Sequence, residues 1–282
     1  MLLAGRFDVM GASLPGLLRD ADTLVALSAE GGQRNAKTLR SQIRQVAGSL
    51  MLHNWEFATA DRAFALAMED ASDPLTAMSV VDERCWGLIR QGRLAETMSA
   101  ALGLAEVNEP KMRASRNELA AYGRLMIRAS MAAVRDNRPD EAAETLRLAR
   151  MAAVGAGSDF ILPFSPWHVF GPVTISVFAA ESAIIRDRPE AVLSIARRLP
   201  GARPAMPIPK SAPSFLLDVA HAYALLRHDD QAVAILRQLR DDRPQWFPRQ
   251  RYAADILVKI IRTRRTLTAE IRDLADAAQV PL

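Results

Sequence analysis

Apolar residues recur at steps of three and four along most of the chain, a spacing that places them on one face of an α-helix. The pattern predicts helices over 14–29, 36–52, 55–70, 75–90, 93–106, 112–136, 139–154 and 247–263. Gly31 and Gly32 are expected to separate the first two helices, because glycine favours turns and helix ends. The sequence shows no strand-like alternation of apolar and polar residues. The chain is therefore predicted to be all-α.

Two segments interrupt the helical pattern. Residues 154–172 combine glycines and prolines with four large aromatic side chains, so they cannot form one regular helix. These side chains predict an aromatic loop near 155–172 that packs against other parts of the protein. The second segment, 199–213, contains five prolines and predicts an exposed connector.

A short polar turn recurs five times and is followed each time by a small residue. The copies read LHNWEFA, QGRLAET, DNRPDEA, RDRPEA and RHDDQA, and they end on Ala58, Thr97, Ala142, Ala191 and Ala232. Spacings of 39, 45, 49 and 41 residues separate these positions, which is the range of stacked helical hairpins. The pattern predicts an α-solenoid of about five to six hairpins. It is expected to form a single domain over 1–282.

The hairpins resemble tetratricopeptide repeats, in which small residues stand where the two helices of a pair touch. With the turns as reference, this position in the first helix is Val46 in repeat one, then Cys85, Ser130, Ala179 and Ala220. The resemblance implies that the first helix of each hairpin lines a concave inner face.

The predicted inner face combines apolar side chains with a few polar ones, a mixture typical of small-molecule sites. Together with the aromatic loop, it supplies the candidate ligand-binding residues Asp82, Trp86, Arg124, Ile127, Met131, Phe164, Trp167, His168, Phe170, Ser176, Leu217 and His221. The alternative is that these residues pack against one another, or against the loop, without a ligand.

Several segments resemble a more specific family. RFDVMGASLPGLL, WEFATADRAFALAMEDASDPL, Phe-Gly-Pro at 170–172 and FLLDVAHAYALLRHDDQAVAIL are similar to the C-terminal sensor region of actinobacterial Xre-type transcriptional regulators. The resemblance implies an effector-binding region without the DNA-binding helix-turn-helix domain, so direct nucleic-acid binding by this chain alone is not expected. Relatives continue with Thr-Asn-Val and a histidine, where this chain has Val173, Thr174, Ile175 and Phe178. That departure implies a more apolar site.

Composition narrows the remaining possibilities. A net charge of +4 is too small to indicate nucleic-acid binding. The basic excess over 237–265 is interpreted as a solvated helix face, and the alternative is a surface that faces phosphate or an acidic protein. A single cysteine, Cys85, excludes an intrachain disulfide and fits a buried packing position. No long uncharged apolar run or signal peptide is recognisable, which predicts a cytoplasmic protein that does not enter a membrane.

Motifs for metal, cofactor or nucleophilic chemistry are not found in the sequence. The four histidines are scattered, and HExxH, CxxC, GxSxG and Walker-type patterns are missing, so neither a metal site nor a cofactor is predicted. Apolar residues of the last helices, Ile256, Leu257, Ile260 and Ile261, suggest either a homodimer surface or a cap on the repeat stack.

These observations favour a non-enzymatic ligand-sensing module with a small apolar effector on the concave face. The alternative is a protein-interaction scaffold that binds a peptide or partner helix, with exposed Arg40, Arg90 and Arg124 receiving acidic groups. A third hypothesis is an enzyme built on the repeat scaffold, with Asp82 and His221 in acid-base roles. An open groove would favour the scaffold, and an aromatic loop that enters the groove would favour the sensor.

Overall fold

The computed structural model of the chain describes residues 7–199 and 212–282. Of the described residues, 77% are helical, and these residues form thirteen α-helices and two short strands. The prediction of a mostly helical protein is confirmed. No helix among these residues is both long and apolar enough to span a membrane. The expected connector over 199–213 lies almost entirely outside the described ranges.

The helices follow one another with short connections. Their bounds are α1 Phe7–Leu27, α2 Glu30–His53, α3 Phe57–Glu69, α4 Pro74–Arg90, α5 Leu94–Val107, α6 Arg116–Arg135, α7 Pro139–Ala156, α8 Pro172–Ile185, α9 Pro189–Arg198, α10 Ala212–Leu225, α11 Asp229–Asp242, α12 Arg251–Thr263 and α13 Ala269–Ala277. A short 3-10 turn, Phe247–Arg249, precedes α12.

The starts of α2 and α6 differ from the prediction, and the local sequence explains both differences. The break expected at Gly31 and Gly32 falls earlier, at Ser28 and Ala29, and both glycines lie in the first turn of α2. Glycine is tolerated there because first-turn N–H groups have no helical partner to lose. Helix α6 begins at a capping box, in which Ser115 and Glu118 bind each other's backbone N–H, rather than at residue 112.

Two short strands form in this mostly helical protein, although the sequence shows no strand-like alternation. Strands β1 (Phe160–Leu162) and β2 (Ser165–Phe170) form an antiparallel hairpin inside the predicted aromatic loop, with Phe160 opposite Phe170. A strand of three residues is too short to show alternation. Burial of five of the six β2 residues hides the usual apolar and polar pattern.

The described residues form two compact units. One comprises Asp8–Ile175, and the other comprises Ser176–Leu282 together with Phe7. In the first unit, consecutive helices from α2 to α7 contact each other, and α4 also contacts α2 and α6. In the second unit, α10 contacts α9, α11 and α12, while α13 contacts α11 and α12. That 1–282 is a single domain stays a prediction.

The same turn closes five helical hairpins. In each, one residue adopts a left-handed backbone with φ between 54° and 73°. The N–H of the next residue then donates to the carbonyl five positions before it, as in a Schellman motif. The left-handed residues are Trp55, Gly92, Asn137, Asp187 and Arg227.

The turn residues define one buried position in the second helix of each hairpin, and in two hairpins this is not the residue that the sequence predicted. The residue five positions after the turn is at most 2% exposed in every hairpin: Ala60, Thr97, Ala142, Val192 and Ala232. The predicted Ala58 is exposed and the predicted Ala191 is half-buried. The first copy was misread because bulky residues such as Trp55 rarely adopt positive φ, so the turn residue is not recognisable in the sequence.

In the first helix of each hairpin, the buried close-packing position also differs from the predicted one in two of the five hairpins. The residues seven positions before the turn are buried in all five hairpins: Gly48, Cys85, Ser130, Ala180 and Ala220. They replace the predicted Val46 and Ala179, which are half-buried. The two positions meet directly where they carry polar atoms, since Ser130 Oγ donates to the Ala142 carbonyl at 2.8 Å.

The apolar residues of α12 are not the exposed surface that a homodimer would need. Ile256, Leu257 and Ile260 are at most 1% exposed, and α12 packs against α10 and α13 within the second unit. The apolar face of this amphipathic helix belongs to the core of its own unit. These three residues give no support to the suggested dimer surface; Ile261 is half-buried, and a homodimer stays a prediction.

Candidate functional site

Two neighbouring helices of the first unit carry a buried group of charged side chains. Asp82 and Glu83 lie in the middle of α4. The side chain of Asp73 caps this helix, which begins at Pro74. Arg124 and Arg128 lie one turn apart on α6 and therefore share a helix face. All four side chains are at most 5% exposed.

Asp82 is the centre of this network. Its Oδ2 accepts hydrogen bonds from Nε and Nη2 of Arg124 at 3.0 and 2.6 Å, and its Oδ1 accepts from Nε of Arg128 at 2.6 Å. The Arg128 Nε also lies 3.0 Å from the Asp82 carbonyl. Charge-assisted bonds of this length are the strong class of hydrogen bond, and they tie α4 to α6.

The β-hairpin adds a histidine to the same network. His168 Nε2 lies 2.8 Å from Glu83 Oε1, and His168 Nδ1 lies 2.9 Å from Ser165 Oγ and 3.5 Å from Asp82 Oδ2. A carboxylate can only accept, so we assign the proton to Nε2 and let Nδ1 accept from the Ser165 hydroxyl. Strand β2 is thereby held against α4.

The charges of the network fix its protonation. Burial alone raises the pKa of Asp82, but the positive charges of Arg124 and Arg128 outweigh burial and hold the pKa below its ordinary value. Burial, together with the nearby charge of Arg124, lowers the pKa of His168 to about 4. Asp82 is therefore ionised and His168 neutral at neutral pH.

Asp82, Glu83 and His168 bring three potential metal-ligand atoms within 4.8 Å of one another. Sequence spacing did not reveal this group, because His168 comes from a distant hairpin. Both oxygens of Asp82 are already bonded to guanidinium groups, and a cation would lie beside two positive charges. The donor set fits an ion-pair network better than a metal site.

Close packing fixes the hairpin to α6. The ring of Phe170 occupies the space that a Cβ on Gly123 would need, so only glycine allows this approach. Phe170 is fully buried, and Phe164 accepts a long hydrogen bond of 3.4 Å from Gln42 of α2 through its carbonyl. The hairpin thus contacts α2, α4 and α6, the first helices of three hairpins.

Asp159 closes the base of the β-hairpin. Its carboxylate accepts from the backbone N–H groups of Val173 and Thr174 at 2.8 and 3.0 Å and from the Thr174 hydroxyl at 2.8 Å. These bonds cap the start of α8. A Cβ on Gly171 would lie 2.5 Å from Asp159 Cα, so the two ends of the segment can approach only because residue 171 is glycine.

Trp167 differs from the other polar groups of the hairpin. Its side chain is 7% exposed, and its indole Nε1 is buried with no hydrogen-bond partner. The neighbouring polar side chains, Ser165 and His168, are both bonded. A buried donor without a partner costs about 1–3 kcal/mol, so such groups are rare in folded proteins.

The structure brings together a part of the predicted site. Asp82, Arg124 and His168 belong to the ion-pair network, and the aromatic residues Phe164, Trp167 and Phe170 belong to the hairpin. Ile127 is fully buried, and Met131 lies at the edge of the network, with its sulfur 3.6 Å from Arg128 Nη1.

The other predicted residues lie elsewhere. Trp86 belongs to a separate aromatic group in which the Arg90 guanidinium lies 4.1 Å from the ring of Trp55 and 5.0 Å from the ring of Trp86. Ser176, Leu217 and His221 belong to the second unit, where His221 Nδ1 lies 2.9 Å from the Tyr252 hydroxyl.

Sequence reasoning missed Glu83, Arg128 and Ser165. The repeat frame does not assign the positions of Glu83 and Arg128 to the inner face, and Ser165 lies in an irregular segment. A signal was nevertheless present: Arg124 and Arg128 stand among apolar residues on nearly every side of α6. Arginine in that setting is buried and must be paired with a carboxylate.

Comparison of the chain with models of protein families, with curated proteins and with solved structures found no match.

Proposed function

We propose that this chain is a non-enzymatic ligand-sensing module built on helical repeats. The five left-handed turns, each with a buried residue seven positions before and five positions after it, support a tetratricopeptide-like solenoid. The resemblance to the sensor region of Xre-type regulators supports the same assignment. In this proposal a small effector is bound at the β-hairpin.

The observation that carries the proposal is that the β-hairpin packs on α2, α4 and α6, which are the first helices of three helical hairpins in the first unit. Phe170 packs on α6, and His168 reaches the carboxylate of Glu83 on α4. A face that is covered by a bonded hairpin suits an enclosed small molecule better than an extended peptide, which needs an open groove.

Two of the three arginines on which the scaffold alternative relied are already paired with carboxylates. Arg124 is 5% exposed and bonded to Asp82. Arg40 is held between Asp70, at 2.7 Å, and Asp22, at 3.0 Å. An acidic peptide would have to break these pairs before it could bind.

The enzyme alternative is also weakened. Asp82 was one of its two acid-base candidates, beside His221, but two arginines keep this carboxylate ionised and occupy both of its oxygens. A general base needs a pKa near the working pH and access to the proton that it removes. Asp82 has neither property.

Native mass spectrometry of the protein purified from its own host tests the proposal. We expect one small molecule bound per chain, and we expect Trp167→Ala to lose it, whereas replacement of Trp246 in the second unit keeps it. A bound peptide would support the scaffold instead. If no molecule is bound under any growth condition, the sensor proposal is wrong.

A further inference from the structure

The indole N–H of Trp167 is a hydrogen-bond donor that the fold buries and leaves unused. The same strand satisfies its other polar side chains, because His168 bonds to both Glu83 and Ser165. A phenylalanine at residue 167 would offer similar apolar area without the cost of an unpaired donor. The unused donor therefore calls for a partner that comes from outside the chain.

Trp167 lies on the side of β2 opposite to the ion-pair network. Adjacent residues of a strand point to opposite faces, and His168 faces α4. The two rings are 6.2 Å apart and tilted by 57°, so they do not stack. Val169, the next residue on the Trp167 face, is 8% exposed and apolar. The neighbour that follows Trp167 on this face of the strand is therefore apolar.

The charged groups of the ion-pair network are already bonded to one another, and they lie on the other face of β2. Arg124 and Arg128 are bonded to Asp82, and His168 is neutral and donates to Glu83. A carboxylate or phosphate that entered beside Trp167 would lose its hydration without gaining a free cation, and a cation would lose its hydration without gaining a free carboxylate. A neutral molecule avoids both costs.

We propose, on the basis of the proposed sensor function, that Trp167 Nε1 donates the hydrogen bond by which the site recognises its ligand. Its ligand is a neutral, largely apolar molecule that accepts this hydrogen bond through a carbonyl or ether oxygen. One hydrogen bond to a neutral acceptor contributes on the order of 1 kcal/mol, and satisfying a buried donor adds to it. Loss of the donor should therefore weaken binding by about tenfold.

The first test identifies what the host-purified protein carries and compares Trp167→Phe with Trp246→Phe, a buried tryptophan of the second unit. We expect a neutral oxygen-containing molecule whose Kd rises about tenfold, and whose occupancy is therefore lower, in Trp167→Phe alone. A molecule with a carboxylate or phosphate, a metal ion, or equal occupancy in both variants overturns this inference but leaves the sensor proposal standing. If no molecule is bound, both fail.

The second test measures ligand binding to the wild-type protein and uses a variant only to assign the Trp167 signal. The chain has four tryptophans, so ¹⁵N-labelled protein shows four indole N–H signals, and the one missing in Trp167→Phe is assigned to Trp167. The stripped protein is titrated with acetophenone, benzoate and ethylbenzene, which share a ring but differ in charge and acceptor. We expect acetophenone to shift the Trp167 signal most. An equal or larger effect of benzoate or ethylbenzene overturns the inference.

Discussion

Phe170 lies directly over Gly123, with its ring in the space that a Cβ on α6 would occupy. This contact seats the β-hairpin on the helices, and the ion-pair network then fixes its orientation. The helix accepts a glycine in its interior, at a cost of about 1 kcal/mol relative to alanine, because the close approach of the ring requires it.

Gly123→Ala should therefore destabilise the protein by about 1–3 kcal/mol, because overpacking outweighs the gain in helix propensity. Gly103→Ala is the matched control: residue 103 is in the interior of α5, and nothing lies within 4 Å of its Cβ position. It should stabilise by up to about 1 kcal/mol. Chemical unfolding measures both changes. A stabilising Gly123→Ala would contradict the seating of Phe170.

Asp82→Asn should cost about 3–5 kcal/mol, because it leaves two buried guanidinium groups without the carboxylate to which both are bonded. Asp61→Asn is the control, since the Asp61–Arg93 pair is 3.3 Å long and about one-third exposed on both sides. A pair of that kind contributes at most about 1 kcal/mol. Equal losses in the two variants, measured by urea unfolding, would argue against a central role for Asp82.

Acidification should destabilise the protein through His168. The folded state holds the pKa of this histidine at about 4 rather than 6.5, so between these values the unfolded chain binds more protons. The unfolding free energy must then fall as the pH drops through this window, by on the order of 3 kcal/mol. Asp82 adds a further loss below pH 3.8, because its folded pKa is lowered.

His168→Gln isolates this effect. Glutamine keeps a donor for Glu83 but does not titrate, so the difference in stability between the wild type and this variant should shrink as the pH falls from 6.5 to about 4. Denaturant unfolding at several pH values measures that difference. A difference that is constant across the window would mean that His168 does not titrate there.

The left-handed turns predict opposite changes in stability for substitutions to glycine and from glycine. Arg227 is exposed and adopts φ 65°, so Arg227→Gly should stabilise by about 0.5–1 kcal/mol. Gly92 adopts φ 73° with nothing within 4 Å, so Gly92→Ala should destabilise by about 1 kcal/mol without any clash. Thermal unfolding compares the two. Changes of the same sign would be inconsistent with left-handed turns at these residues.

Asp159→Ala should loosen the base of the β-hairpin, because it removes three hydrogen bonds to Val173 and Thr174. Loss of a helix cap of this kind costs about 0.5–2 kcal/mol. Hydrogen exchange should rise over 160–175, while α3, at a distance along the chain, stays protected. Unchanged exchange in the hairpin would show that Asp159 does not hold it.

The helical part of this fold was accessible from the sequence because it depends on local periodicity. Apolar steps of three and four located α2 to α7 to within a few residues, and the polar turns located the five hairpins. The register failed at Trp55 and near Asp187. There the closest approach of two helices is set by the backbone conformation of the turn, and no residue type marks it reliably.

The sequence by itself determined which segments become helices, because helix periodicity and turn chemistry act within a few residues of each other. Only the tertiary structure decided that Asp82, Arg124, Arg128 and His168 meet. They come from three segments, α4, α6 and β2, that are far apart in the chain, and their pairing is forced by the burial of charges that must find partners. The position of the β-hairpin was decided in the same way, by the fit of Phe170 to the space left open at Gly123.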